Sequence, residues 1–435
     1  MLRQSTIFFG GPILTMNDER PEVESLAIID GHICGIGSRK DVFKLHTSRT
    51  RIVDLEGRTL MPGFVDPHAQ IAWSAFSTYA ESALAGIPTG AGKLVPSFRS
   101  FQQPSFEQKL ACCKRVIREW ARRGCTTVYD ASLGAVWGLD ELRLFLETAS
   151  EPATPVRLRT AIVPTDDLPR LSGIRPHQGN DRLCFVGIKY WADGEVPDDT
   201  FNSGNTFTPG SDSDRLNYDD DELRIQMQRW HDAGWQLTVH ADRNPAIEQT
   251  LQVFEAILSE TPRADHRHRI EGCTAVDERQ LDKIRQLGLS ISHRIGHYDS
   301  TETNGNGGLR DQGLLPIIPI ASDLARGLIV SLHGNGAITQ VDPLQCVQAA
   351  VTRLVRATGD VLGPEERVTV DQALKAITLY PAYQSFLENE VGSLDVGKIA
   401  DLVVLDRNPR AVEPASIAQI RVLETYLAGM KQEWV

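Results

Sequence analysis

The sequence predicts an α/β fold, namely a TIM-type (β/α)8 barrel with a small β-sandwich domain built from both chain ends. Short β-rich segments separated by turns occur near both ends of the 435-residue chain, and strand-like and helix-like segments alternate between them. The composition, with 41% hydrophobic and 23% charged residues, is ordinary for a folded globular protein. We therefore expect a composite β domain over 1–60 and 386–435, and a barrel over 61–385.

The β domain is predicted from four short segments near the N-terminus, at 6–9, 13–16, 25–29 and 32–37. Gly10-Gly11-Pro12 and Asp30-Gly31 supply turns between them. Similar β-rich segments with turns occur again at 392–406 and 422–431. Because both ends of the chain have the pattern of β-strands, we expect them to belong to one sheet.

The barrel is predicted from eight candidate strands that alternate with helix-period segments at 106–123, 218–233, 246–259 and 277–287. In such a barrel the active site is built at the carboxyl ends of the strands. The candidate strands end near Asp66, Tyr129, Val163, Lys189, His240, Glu271, Ser292 and Leu332.

The net charge indicates the class of partner, and the cysteine pattern indicates the redox state of the thiols. The net charge of −12 disfavours nucleic acid and anionic membrane, so a small-molecule substrate is expected. The seven cysteines form no CxxC motif and are predicted to be reduced thiols. With no signal-peptide core and no apolar run long enough to span a membrane, the expected location is the cytoplasm.

Polar residues lie at the predicted strand ends, and His68-Ala69-Gln70 is the most informative of these segments. Residues two apart on a strand point to the same side, so a His-x-His in this place would supply two imidazoles to one metal. Gln70 replaces the second imidazole by an amide, which is a poor ligand for zinc. Tryptophans follow several of the same strand ends, at Trp73, Trp137 and Trp191.

Seven motifs in order resemble the amidohydrolase superfamily and, within it, the branch that includes N-substituted formamide deformylases. They cover nearly the whole chain: 26–31 with 36–37, 62–68, 187–194, 239–241, 267–271, 341–344 and 392–402. In members with a complete site, metal is held by His-x-His, a lysine on strand four, histidines after strands five and six, and an aspartate after strand eight. The resemblance implies that this chain keeps His68, Lys189 and His240 and carries Gln70, Gly272 and Asn335 at the other three positions.

These replacements lead us to expect no cofactor, or at most one weakly held divalent metal near His68 and His240. Lys189, His240, His68 and His333 are the expected catalytic residues, because a desolvated lysine or a histidine can transfer protons. Gln70, Asn335, His297 and the tryptophans Trp73, Trp137 and Trp191 are expected to bind substrate. The alternatives are structural: Lys189 paired with Asp193 or Asp130, packed histidines, a solvated His297 and core tryptophans.

Three functions follow from this site. The first is a metal-independent enzyme of lyase or isomerase type, acting on a small apolar or aromatic molecule by retro-aldol cleavage, decarboxylation or a proton shift. The alternative is a hydrolase of an amide-type C–N bond with a reduced, single-metal site, and the third is a non-catalytic binding protein. The resemblance also leaves room for a homo-oligomer.

Overall fold

A computed structural model describes residues 5–84, 103–164, 173–194, 216–296, 318–334, 342–355 and 359–433. It contains two sheets, one formed by both chain ends and one formed by the central part of the chain. The predicted fold class, a barrel of TIM type with a second β unit, is confirmed. The residue boundaries proposed for the two domains stay a prediction.

The sheet of the chain ends is mixed and has eight strands, in the order β17-β16-β15-β5-β1-β2-β3, with β4 paired to β1. β1 pairs antiparallel with β2 and parallel with β4, and β15 from the C-terminal part pairs antiparallel with β5. Its strands are β1 (Ser5–Leu14), β2 (Glu22–Ile29), β3 (His32–Gly37), β4 (Thr50–Asp54), β5 (Thr59–Pro62), β15 (Leu402–Leu405), β16 (Val422–Leu427) and β17 (Met430–Lys431).

The central sheet holds eight parallel strands in the order β14-β13-β12-β11-β10-β8-β7-β6, and the short β9 (Gln178–Gly179) pairs antiparallel with β10. Residues 376 and 377 lie between β14 and β6 and connect these two strands by hydrogen bonds. The backbone amide of Leu332 donates to the carbonyl of residue 376, and the amide of Val65 donates to the carbonyl of residue 377. The eight strands are β6 (Phe64–Ala69), β7 (Cys125–Leu133), β8 (Arg157–Ile162), β10 (Leu183–Trp191), β11 (Gln236–Ala241), β12 (Arg269–Gly272), β13 (Ser290–Arg294) and β14 (Val330–His333).

Helices connect and cover these strands, and several begin at capping boxes in which a side chain binds the free amides of the first turn. Ser105 caps α3 with Gln108, and Asp277 caps α7 with Gln280. The described helices are α1 (Arg39–Val42), α2 (Ile71–Leu84), α3 (Phe106–Arg122), α4 (Leu139–Ser150), α5 (Asp220–Asp232), α6 (Asn244–Glu260), α7 (Glu278–Gln286), α8 (Ile320–Ala325), α9 (Pro343–Thr352), α10 (Val370–Lys375) and α11 (Leu379–Gln384).

A buried ion pair joins the two sheets. The Arg157 guanidinium on β8 donates from Nε to Asp401 Oδ2 at 2.7 Å and from Nη2 to Asp401 Oδ1 at 3.1 Å. Asp401 also accepts from the amide of Ala428 at 2.8 Å, so one carboxylate orders both the barrel edge and the C-terminal hairpin. Among the described helices, none is both long and apolar enough to cross a membrane.

Candidate active site

Three buried side chains from different barrel strands form a group with metal-ligand chemistry. His68 lies near the end of β6, Glu271 on β12 and His333 at the end of β14, and one donor atom from each lies within 4.8 Å of the other two. His68 Nδ1 is 2.6 Å from Glu271 Oε2. The imidazoles of His68 and His333 stack, with ring centroids 4.5 Å apart. These contacts bring two of the predicted residues, His68 and His333, into one group at the carboxyl ends of the strands.

The protonation states of this group suit a divalent cation. Burial lowers the pKa of His68 to about 4, and burial with the nearby His68 lowers the pKa of His333 well below its usual value. Burial alone would raise the pKa of Glu271, but Arg269 and His68 hold it well below its usual value. Near neutral pH the group therefore has two neutral imidazoles and one carboxylate, which is a donor set found in catalytic zinc sites.

Arg269 is the partner that fixes Glu271, and both side chains are fully buried. Arg269 Nε is 2.5 Å from Glu271 Oε1, and its Nη2 donates to the Pro67 carbonyl at 2.9 Å. The Arg269 guanidinium also lies over the Tyr129 ring at 4.0 Å. Sequence reasoning gave neither residue a role, although Arg269 and Glu271 stand two apart on a predicted strand and must share a face.

Lys189 and His240 lie on neighbouring strands of the same barrel face. The Lys189 ammonium is fully buried, has no hydrogen-bond partner among the described residues and lies 5.2 Å from the centroid of the Trp191 ring. Burial lowers the pKa of Lys189 to about 8, against the attraction of Glu271. No ion pair joins Lys189 to Asp193 or Asp130 among the described residues, so the structural alternative for this lysine has no contact to support it.

His240 pairs in register with Glu271 and is partly open to solvent. Its Nε2 is 3.7 Å from Asp193 Oδ1, and Asp193 accepts hydrogen bonds from the amides of Asp242 and Arg243. Burial lowers the pKa of His240, while Asp193 and Asp242 act in the opposite direction. Asp193 thus orders the turn that follows β11 and faces the imidazole of His240.

Gly272 has a steric reason to be glycine. Its φ is +92°, and a Cβ at this position would lie 2.5 Å from Asp242 Oδ1 and 3.5 Å from His240 Cε1. Asp242 occupies the space into which a side chain at position 272 would point, and it accepts a hydrogen bond from the Thr274 hydroxyl. The carboxylate of Asp242, which follows β11, therefore fills the space into which a side chain at position 272 would point.

Gln70 lies between β6 and α2, where its backbone carbonyl accepts hydrogen bonds from the amide and the hydroxyl of Ser74. Asp130 closes the same turn from β7, because its carboxylate accepts from the amides of Ile71 and Ser132. Asp130 therefore caps this turn. Asn335 and His297, which were expected to bind substrate, lie outside the described residues.

The three tryptophans belong to one apolar cluster beside the strand ends. Trp191 is buried in it, and Trp73 and Trp137 pack against it with part of their surface open. The loop that carries Trp137 is held by Glu141, whose buried carboxylate accepts from the amides of Gly134, Val136 and Trp137 at 2.6–2.7 Å. Their assignment as substrate contacts stays a prediction.

The sequence of the chain is similar to those of known proteins. The sequence model of the amidohydrolase family matches residues 80–430. An N-substituted formamide deformylase from Arthrobacter pascens is 30% identical over 214 residues, covering 49% of this chain and 39% of that protein, so the chain matches about two fifths of that relative's length. An imidazolonepropionase from Solibacter usitatus is 23% identical over 431 residues, covering 88% of this chain and 86% of that protein.

Among solved structures, an uncharacterized metal-dependent hydrolase from Pyrococcus horikoshii matches with a TM-score of 0.75 and 18% identity, covering 94% of this chain and 99% of that one. This likeness shows the shared fold. The expectation of a site without cofactor is wrong, because the described residues contain a His–His–Glu group with metal-ligand chemistry, and the solved structure of similar fold is named a metal-dependent hydrolase. Sequence reasoning placed any metal near His68 and His240, whereas the group is completed by Glu271 and His333.

Proposed function

Because the chain belongs to the amidohydrolase family, we propose that it is a metal-dependent hydrolase that cleaves an amide-type C–N bond in a small organic molecule. The group of His68, Glu271 and His333 carries this proposal. The metal-independent lyase or isomerase ranked first from the sequence is not supported, since the relatives are hydrolases. The alternative reading, hydrolysis at a reduced metal site, agrees better with the family and with this group.

A divalent metal fits these three side chains by charge and by donor type. His68, Glu271 and His333 would hold it with two neutral imidazoles and one carboxylate, all buried. When bound, such a metal polarises a substrate carbonyl and lowers the pKa of a bound water, which is the chemistry that amide hydrolysis requires. Arg269 keeps the Glu271 carboxylate ionised and fixed in position.

Lys189 and His240 are the proposed proton carriers. Hydrolysis adds a water oxygen to the acyl carbon, breaks the C–N bond and leaves an amine that must take up a proton. Burial lowers the pKa of His240, but the Asp193 carboxylate, 3.7 Å from its Nε2, acts against this shift and favours the protonated imidazole that would deliver that proton. Lys189, with a pKa of about 8, exchanges protons near neutral pH and lies beside the apolar cluster of Trp191.

The apolar cluster favours a substrate with an apolar or aromatic group. Trp191 lies 5.2 Å from the Lys189 ammonium and belongs to a cluster with Trp73 and Trp137, whose partly open rings can bind such groups. An N-substituted formamide with an aromatic substituent, such as N-benzylformamide, combines this group with a C–N bond. It also belongs to the substrate class in the name of one curated relative.

The test is metal content together with hydrolysis. Protein purified without chelator is expected to contain about one divalent transition metal per chain by elemental analysis. It should release benzylamine from N-benzylformamide or amine from a related amide. Chelation should abolish the activity, and zinc, manganese or cobalt should restore it.

Two variants and a matched control locate the metal. His68→Ala and His333→Ala should lose both metal and activity, whereas His266→Gln should keep both. His266 is also a buried histidine, but it bonds to the Leu287 carbonyl and the His268 amide in a separate histidine cluster. Full activity in metal-free protein, or equal metal content in all three variants, would refute the proposal.

A further inference from the structure

Arg294 is a cation beside the candidate metal group that has no assigned role. It is the last residue of β13 and pairs in register with His333 on β14, so the two side chains start from the same face of the barrel sheet. One third of the Arg294 side chain, 33%, is exposed. The preceding residue, His293, points the opposite way and bonds to Asp323 on α8.

Among the described residues, the acid that pairs with Arg294 is a weak partner. Arg294 Nη2 is 3.8 Å from Asp242 Oδ2, about 1 Å longer than a charge-assisted hydrogen bond between a guanidinium and a carboxylate. Arg294 Nε is buried and has no hydrogen-bond partner among the described residues. Asp242 is held in its place by the Thr274 hydroxyl and by the space that Gly272 leaves open.

A guanidinium in this state has unused binding capacity. Its planar fork is suited to receive the two oxygens of a carboxylate, and a buried donor without partner is costly until a ligand satisfies it. Arg294 thus lies at the mouth of the site with donors available.

We propose that Arg294 binds a carboxylate group of the substrate, and that the substrate is a small amide carrying both an apolar group and this carboxylate. The inference rests on the proposed hydrolase function and names its substrate class. The apolar group would contact the cluster of Trp73, Trp137 and Trp191, and the carboxylate would lie on the opposite side of the mouth, next to His333. Arg294 is then the residue that separates anionic from neutral amides.

Binding can be tested with two ligands that share an aromatic body and have no amide bond. 3-Phenylpropanoate carries the carboxylate and 3-phenylpropan-1-ol does not. Calorimetry on the metal-loaded enzyme should show the acid binding at least about tenfold more tightly than the alcohol, as expected for a charge-assisted contact. Arg294→Met should remove this preference, and Arg294→Lys should retain part of it because the charge remains.

The matched control is Arg224→Met. Arg224 is exposed to 39% and makes an equally loose ion pair, 3.7 Å from Glu260, but on the outer helix α5. This variant should bind both ligands as the wild type does. A wild type that binds acid and alcohol equally overturns the proposal without any variant. So does a folded Arg294→Met protein that keeps the preference, since the metal would then hold the carboxylate.

Hydrolysis of N-formylphenylalanine and N-benzylformamide separates this inference from the proposed function. If Arg294→Met lowers kcat/KM at least about tenfold for the anionic formamide and leaves the neutral one unchanged, the inference is supported. If both substrates are cleaved with equal dependence on Arg294, hydrolysis stands and the inference fails. If neither is cleaved but binding of 3-phenylpropanoate depends on Arg294, the carboxylate site stands and formamide hydrolysis fails.

Discussion

Replacing Glu271 by glutamine tests whether this residue is the electrostatic centre of the site. The carboxylate is fully buried, 2.5 Å from Arg269 Nε and 2.6 Å from His68 Nδ1. Glutamine keeps the shape but leaves the buried Arg269 cation without its anion. Removing one partner of a buried ion pair costs about 3–5 kcal/mol, a large part of the 5–15 kcal/mol that holds a typical domain folded.

The assay is urea unfolding followed by circular dichroism at 25 °C, with chelator present so that metal does not contribute. Glu271→Gln is expected to lower the free energy of unfolding by about 4 kcal/mol. The double variant Arg269→Met/Glu271→Gln should recover about half of this loss or more, because the buried Arg269 charge is then removed together with the charge of its anion. The recovery isolates the charge effect from the loss of hydrogen bonds.

Glu366→Gln is the control, because Glu366 is also a buried glutamate but bonds to the amide and hydroxyl of Ser322 instead of to a cation. It should lose only about 1–2 kcal/mol. If Glu271→Gln is no less stable than this control, the carboxylate does not compensate Arg269. The same conclusion follows if the double variant is less stable than the single one.

Three further predictions concern other parts of the molecule. Gly272→His should add no metal ligand, because a Cβ would lie 2.5 Å from Asp242 Oδ1 at a φ of +92°; metal titration should show no gain in affinity, and urea unfolding a loss of about 1–3 kcal/mol. Asp401→Asn should cost about 3–5 kcal/mol in the same assay, because it removes the buried carboxylate that pairs with Arg157 and leaves this buried guanidinium with only the exposed Asp181, 3.0 Å away. For His266, burial lowers the pKa to about 4 in the folded protein from 6.5, so the unfolded chain takes up the proton first as pH falls. The contribution of the buried neutral imidazole to the free energy of unfolding is complete above pH 6.5 and is lost between pH 6.5 and 4. In His266→Gln, the decrease in the free energy of unfolding from pH 7 to pH 4.5 should therefore be smaller by about 2 kcal/mol, measured by urea titration at both pH values.

The order of the barrel elements could be predicted because each strand and helix carries its own local pattern. The helix predicted over 106–123 is α3 (Phe106–Arg122), and its start is fixed by the Ser105 capping box, a signal within four residues. The bridge between β14 and β6 by residues 376 and 377 could not be predicted, because it joins backbone groups that are distant in sequence. β7 runs to Leu133, four residues past its predicted end, for a similar reason: its last residues are paired by β8.

The residues of the candidate site could be named only in part, because a family motif indicates the positions that the family shares and gives no signal for contacts made by other residues. His68 and Lys189 were found from the motif, and His333 from its type beside a strand end. Glu271 lies inside the motif at 267–271, yet its role depends on Arg269 and on the approach of His68 from a strand about 200 residues away. Period-two alternation over 269–271 was the available signal, since it places both charged residues on the inner face.

Asp242 links the glycine at position 272 to the proposed carboxylate site. Asp242 fits only because residue 272 has no side chain, and Asp242 is also the acid that lies 3.8 Å from Arg294. A histidine at 272 would displace this carboxylate and change the surroundings of Arg294. The metal group draws on β6, β12 and β14, while Arg294, Asp242 and His240 belong to β13 and the end of β11. Substitutions of His68, Glu271 or His333 should therefore change the metal content. Arg294→Met should change ligand affinity at constant metal content. Elemental analysis and calorimetry on the same samples distinguish the metal group from the carboxylate site.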